Sequence, residues 1–135
     1  MLRKNAKVEL ISRVPLFADC SKRELGEIAS LADELSLPAG RKLTSEGASG
    51  QEFVILVEGA AEVRRGGHPV NHLGPGDFLG EISLVTGQKR TATVTTTVPS
   101  RLLVVSAPDF RRLLRNLPTL QLKVLDTLAA RLPAE

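Results

Sequence analysis

Apolar positions in the first third of the chain repeat at three and four residues. Leu25, Ile28, Ala29 and Ala32 follow Ser21 and Glu24, a capping-box pair, and together they predict an amphipathic helix over about residues 22–33. A shorter helix is predicted over about residues 5–13, closed by Pro15 ahead of Leu16 and Phe17. From Leu35 to Val105 the pattern changes: glycines at short intervals cut the chain into pieces rich in Val, Ile, Leu and Thr, the signature of short strands joined by tight turns. Phe53 to Val57 is a continuous apolar run, and Arg64-Arg65-Gly66-Gly67-His68 predicts a hairpin turn before a strand from Val70 to Leu73. This middle section, about residues 35–105, predicts an antiparallel sandwich or roll.

Helical spacing returns after Ser106, which stands before Pro108 and Asp109 as a cap ahead of a first turn with an acid near the positive end of the helix dipole. Phe110, Leu113 and Leu114 share one face, Pro118 interrupts, and Leu122, Leu125, Leu128, Ala129 and Leu132 mark a further stripe, so helices are predicted over about residues 107–132. That last stripe is expected to pack on the chain's own sheet, with a second copy of the chain as the alternative occupant.

Composition narrows the function classes. The 135 residues fit one domain, taken as 1–135, and 42% hydrophobic with 24% charged residues is an ordinary globular balance. A net charge of +3 is too small to point to a nucleic-acid backbone, and without Trp or Tyr the stacking platforms of single-strand binders are missing, so no direct nucleic-acid ligand is expected. A single cysteine, Cys20, excludes an internal disulfide and a multi-cysteine zinc site, and reads as a buried small hydrophobe in a reducing compartment. The charged start MLRKNAKVEL and the lack of a long apolar run predict a cytoplasmic protein with no membrane segment. His68 and His72 are four apart, yet Pro69 and the hairpin context keep them off a helix and no carboxylate is close in sequence, so no metal is expected. No G-x-S-x-G turn surrounds any serine, and an enzyme is not predicted.

The informative stretch runs from Gly76 through Gly80, Glu81, Ile82, Ser83 and Leu84 to Arg90, Thr91, Ala92, Thr93 and Val94. Gly80 permits close backbone approach, and a short helix over about residues 80–85 would turn its free N–H groups toward an anion. Arg90, nine residues after Glu81, has the planar fork that grips phosphate through two hydrogen bonds. Glu81 beside an anion is repelled by it, so its natural partner is a hydroxyl group such as that of a sugar. Singly, each residue also fits a plainer role: a solvated helix-start acid, an exposed loop charge, a turn glycine.

Taken together, Phe78-Leu79-Gly80-Glu81-Ile82-Ser83-Leu84 and Arg90-Thr91-Ala92-Thr93-Val94 closely resemble the phosphate-binding cassette of the cyclic nucleotide-binding domain family, F-x-G-E-[LI]-[AS]-L followed by R-[TSA]-A-[TS]-V. The resemblance extends through Pro15-Leu16-Phe17, Gly40, Glu46-Gly47, Val57-Glu58-Gly59, Gly74-Pro75-Gly76-Asp77 and Ala129-Ala130-Arg131-Leu132. It implies an α+β fold: an antiparallel, jelly-roll-like β-roll flanked by N-terminal and C-terminal helices. It also implies that Glu81 binds the ribose 2′-hydroxyl, and that Arg90 with backbone N–H groups near Gly80, Ile82, Ser83 and Ala92 holds the cyclic phosphate. Thr91 would border phosphate and purine, and Val63 and Leu73 would pack against the base. The implied ligand is cAMP, ahead of cGMP, with Thr91 compatible with either. The implied role is regulatory: capture of the ligand moves a hinge helix starting near Phe110, met by Leu84, and signals to an unidentified protein effector or an output domain. The lid over the base is expected from the last helix, a partner chain or sequence beyond Glu135. The alternative is a structural module of the same fold, without ligand, that forms a homodimer through its C-terminal helix.

Overall fold

The computed structural model describes residues 3–48, 52–80 and 89–131. Helix α1 (Lys4–Ser12) leads through a 3-10 turn (Pro15–Phe17) into α2 (Lys22–Leu31). Strands β1 (Asp33–Leu37), β2 (Lys42–Thr44), β3 (Glu52–Glu58), β4 (Ala61–Arg65), β5 (His68–Leu73), β6 (Phe78–Leu79), β7 (Thr93–Thr96) and β8 (Ser100–Ser106) follow, and α3 (Ala107–Asn116) and α4 (Pro118–Arg131) complete the described chain. The fold is α+β, two antiparallel sheets rolled against each other with the helices on one side.

Both capped helices start where side-chain chemistry satisfies free backbone donors. At α2 the Ser21 hydroxyl accepts from the Glu24 N–H at 3.1 Å, while the Ser21 N–H donates to Glu24 Oε1 at 2.8 Å. At α3 the Ser106 hydroxyl accepts from the Asp109 N–H at 3.3 Å, with Asp109 in the first turn.

One sheet has the strand order β1-β8-β3-β6 and the other β2-β7-β4-β5. The unbroken apolar run of β3 has a simple cause, because both of its faces are buried. Phe53 and Ile55 point into a core against the helices with Leu103 and Val105 of β8, Phe17, Ile28, Phe110 and Leu120. Val54 and Leu56 point the other way, into a core inside the roll with Leu102, Val94, Ala61 and Leu79. Period-two alternation on β3 and β8 thus divides one sheet between two cores.

The β4–β5 hairpin is tighter than the sequence predicts. Gly66 and Gly67 alone form the turn, with φ of +59° and +78°, while Arg65 pairs with His68 and Arg64 with Pro69 in the ladder. Two adjacent positive φ angles are the requirement of a type I′ turn, which two glycines meet without strain and which matches strand twist. Pro69 is tolerated because β5 is an edge strand.

The C-terminal stripe is corrected by the structure. Leu117, Leu120 and Val124 are the residues turned inward, at 1%, 0% and 3% exposure, whereas Leu122 and Leu125 are 67% and 61% exposed. The phase is set by Leu117, which caps α3 and precedes the proline that opens α4. Lys123 fixes the helix further, reaching Asp19 at 3.2 Å. The side chain of Leu128, and Leu132 altogether, lie outside the described residues.

Candidate ligand site

A cavity at the end of the inner core is bordered by β4 with its sheet neighbours, β5 and the chain entering β7, and by Phe78, Leu79 and Gly80 at β6 of the other sheet. The cavity is about 260 Å³ and is lined by Thr44, Val63, Arg65, Asn71, Leu73, Phe78, Leu79, Gly80, Lys89, Arg90, Thr91, Ala92 and Val94. Val63 and Leu73 are half-buried and continue the apolar floor of the roll into it.

Gly80 ends β6 with φ +110°, and a Cβ there would sit on the Glu52 carbonyl oxygen and 2.9 Å from Arg90 Nη1. Close approach is the reason for the missing side chain. Arg90 Nη2 donates to the Glu52 carbonyl at 2.6 Å, so its guanidinium is held across the Gly80 backbone at the cavity edge. Its main chain is held as well: the Arg90 N–H donates to the Ala48 carbonyl and the Gly47 N–H donates to the Arg90 carbonyl, both at 2.8 Å. From the hairpin, Arg65 Nε donates to the Thr91 carbonyl at 3.2 Å, and the Gly66 N–H donates to Glu46 Oε1 at 3.0 Å.

Charge at the cavity is one-sided. Arg65, Lys89 and Arg90 line it, and no carboxylate does among the described residues. Cations beside an apolar floor suit a ligand with an anionic group at one end and a flat apolar body at the other.

Six residues selected from the sequence, Val63, Leu73, Gly80, Arg90, Thr91 and Ala92, therefore line a single cavity. Glu81, Ile82, Ser83 and Leu84, with the short helix expected there, lie outside the described residues. Sequence reasoning did not select Thr44, Arg65, Asn71 or Lys89. Val63 and Leu73 came from the resemblance; Asn71 pairs directly with Val63 and stands two residues before Leu73 on β5, so it was within reach of strand alternation, but nothing marked Arg65 at the hairpin or Lys89 as cavity-facing.

The remaining polar candidates are elsewhere. His68 and His72 are exposed on β5, and among the described residues no group of three or more His, Cys, Asp or Glu side chains could hold a metal ion. Cys20 is half-buried against the helical core, and burial first, then the charges of Glu24 and Asp19, push its thiol pKa up from 9.0 to about 11. Among the described residues no helix is long and apolar enough to cross a membrane.

On the cavity's inner side, Phe78 also packs on Phe53 with ring centroids 5.8 Å apart, and Phe53 stacks on Phe110 of α3 at 4.7 Å and 20°. Cavity wall and C-terminal helix are thus joined through three rings.

The sequence model of a family described as cyclic nucleotide-binding domain matches residues 34–116. The chain is 36% identical over 110 residues to a cyclic nucleotide-gated potassium channel of Rhizobium etli, a match covering 82% of this chain and 31% of that one. It is 32% identical over 107 residues to a cAMP-dependent protein kinase regulatory subunit of Eremothecium gossypii, covering 78% of this chain and 23% of the subunit. The chain thus spans about a third or less of the length of these relatives. Among solved structures, the catabolite activator protein of Thermus thermophilus superposes with a TM-score of 0.79 and 28% identity, covering 87% of this chain and 57% of that one.

Proposed function

The chain belongs to the cyclic nucleotide-binding domain family, and on that premise we propose that it is a regulatory module, one unit over residues 1–135, that binds cAMP in preference to cGMP in the cavity between β4, β5 and the Arg90–Ala92 segment. The observation that carries this reading is the convergence of Val63, Leu73, Gly80, Arg90, Thr91 and Ala92 on one cavity of about 260 Å³. Arg90 takes the cyclic phosphate with the backbone N–H groups around Gly80, Ile82, Ser83 and Ala92. Glu81 takes the ribose 2′-hydroxyl, Thr91 borders phosphate and purine, and Val63 and Leu73 flank the base. The preference for cAMP is supported by the similarity to a cAMP-dependent kinase regulatory subunit. The names of the relatives, a regulatory subunit, an activator protein and a gated channel, favour signalling over catalysis.

The signal passes to α3, whose displacement is read by an effector, attached or separate. The Phe78–Phe53–Phe110 contacts support this route, since a ligand that shifts Phe78 presses on the residue stacked against α3.

Calorimetry with cAMP, cGMP and 5′-AMP tests the reading. One phosphodiester charge opposite Arg90 suits the cyclic ligands better than the nearly dianionic 5′-AMP, so cAMP binds tightest and 5′-AMP weakest. Equal affinity for cAMP and 5′-AMP sinks it. The ribose assignment has its own check: Glu81→Ala with cAMP, and the natural chain with 2′-deoxy-cAMP, each lose roughly 1.5 to 3 kcal/mol, and the combined loss falls well short of their sum. Tighter cAMP binding by Glu81→Ala overturns the assignment.

A second reading, a module without ligand that pairs through its C-terminal helix, is favoured by one observation, the exposure of Leu122 and Leu125. It requires no heat with either cyclic nucleotide and a mass that doubles with concentration.

A further inference from the structure

The ladder between β4 and β7 runs from Ala61 opposite Thr96 to Arg64 opposite Thr93 and stops there. The next residues, Arg65 on one side and Ala92 and Thr91 on the other, leave the backbone pairing where the cavity opens. At that point a side chain replaces the missing rung: Arg65 Nε reaches the Thr91 carbonyl at 3.2 Å.

We propose that Arg65 is a positioning residue for ligand binding, holding the Thr91 carbonyl so that the Thr91–Ala92 peptide is turned with its N–H toward the phosphate. The proposal rests on the cyclic-nucleotide reading of the cavity. A peptide unit is planar, and in its trans form the C=O and the following N–H point to opposite sides. No peptide bond among the described residues is cis. Fixing the Thr91 oxygen on the Arg65 side therefore aims the Ala92 N–H away from Arg65, and this N–H is the donor assigned to the cyclic phosphate.

The hairpin is a suitable anchor. Its two-glycine turn is of the tight type I′ form, and the Gly66 N–H is tied to Glu46 Oε1 at 3.0 Å. The loop that carries Glu46 also clasps the Arg90 main chain through Gly47 and Ala48. Loop, hairpin tip and Arg90–Thr91 segment are thereby closed into a ring around the phosphate side of the cavity. Arg65 and Thr91 are both exposed, so their hydrogen bond adds little to folding stability, and its effect falls on the orientation of the bound segment.

The test uses the full chain and a fluorescent cAMP analogue in stopped flow, at low and high salt, for the natural protein, Arg65→Met and Arg65→Lys. The methionine keeps the apolar stem and removes donor and charge. Its affinity falls roughly tenfold, through faster dissociation that persists at high salt, while the melting temperature without ligand is unchanged. Arg65→Lys, which retains a donor, recovers part of the loss. A loss confined to the association rate and erased by salt overturns the proposal, since Arg65 would then act only as a distant charge. Unchanged kinetics in Arg65→Met, or a melting temperature that falls along with affinity, overturns it too. If the natural chain binds no cyclic nucleotide, the cavity reading fails and this proposal falls with it; binding by the natural chain with no deficit in Arg65→Met overturns the role of Arg65 alone.

Discussion

At Gly80 one absent side chain permits three groups to meet: its own backbone, the Glu52 carbonyl and the Arg90 guanidinium. Gly80→Ala combines an unfavourable φ of +110° with a Cβ driven into that contact, and a stability loss of about 1 to 3 kcal/mol is expected by denaturant titration. Binding should fall in the same variant, because the guanidinium that must move lines the cavity. Arg90→Lys separates the two effects. It keeps the charge but not the fork, so it is expected to weaken cAMP binding by about 1.5 to 3 kcal/mol in calorimetry while the fold holds. The sequence pattern alone marked Gly80 as a site of close approach and Arg90 as an anion ligand. The pattern put both at one phosphate site but carried no sign that they meet over the Glu52 carbonyl of β3, thirty-eight residues from Arg90, because backbone atoms leave no trace in residue type.

Among the elements, α4 separates what periodicity conveys from what it does not. Spacing of three and four announced the helix, but Leu117, Leu120 and Val124 and the set of Leu122 and Leu125 satisfy that spacing equally well. Which set turns inward depends on the partner surface, and that surface is the 3-10 turn and α3, assembled only in three dimensions. Leu120→Ala is expected to cost about 2 to 5 kcal/mol in chemical denaturation, the range for a fully buried leucine, while Leu122→Ala stays within about 0.5 kcal/mol. Equal effects would show that the outer stripe is covered after all. Strand β3 was easier to read, since an uninterrupted apolar run bounded by turn residues fits a strand buried on both faces. The turn after β4 was legible as a turn and too long by three residues, because the identity of Arg64, Arg65 and His68 does not reveal that the ladder continues up to the glycines.

Across the whole molecule, stability and assembly follow from how distant parts meet. The Cys20 thiol has a raised pKa in the folded chain, so the native state keeps its proton to higher pH than the unfolded chain does. That contribution is complete below pH 9 and is lost as pH rises through about 11. The stability difference between the natural chain and Cys20→Ser, read from denaturation midpoints, should therefore shift against the natural chain across that interval; a constant difference would show that the thiol titrates alike in both states. The β1-β8-β3-β6 sheet has a different kind of consequence. No two neighbours in it are adjacent along the chain, and Asp33 waits for Val104 as its partner. Closing such long loops is slow, and refolding is expected in milliseconds to seconds. On the ribosome, β3 emerges with its apolar run complete and then has no β8 to pair with until some fifty more residues have been made. During that interval Phe53 to Val57 is an exposed aggregation-prone segment, and a nascent chain halted before Ser100 is a substrate for chaperones or for precipitation, whatever the stability of the finished protein.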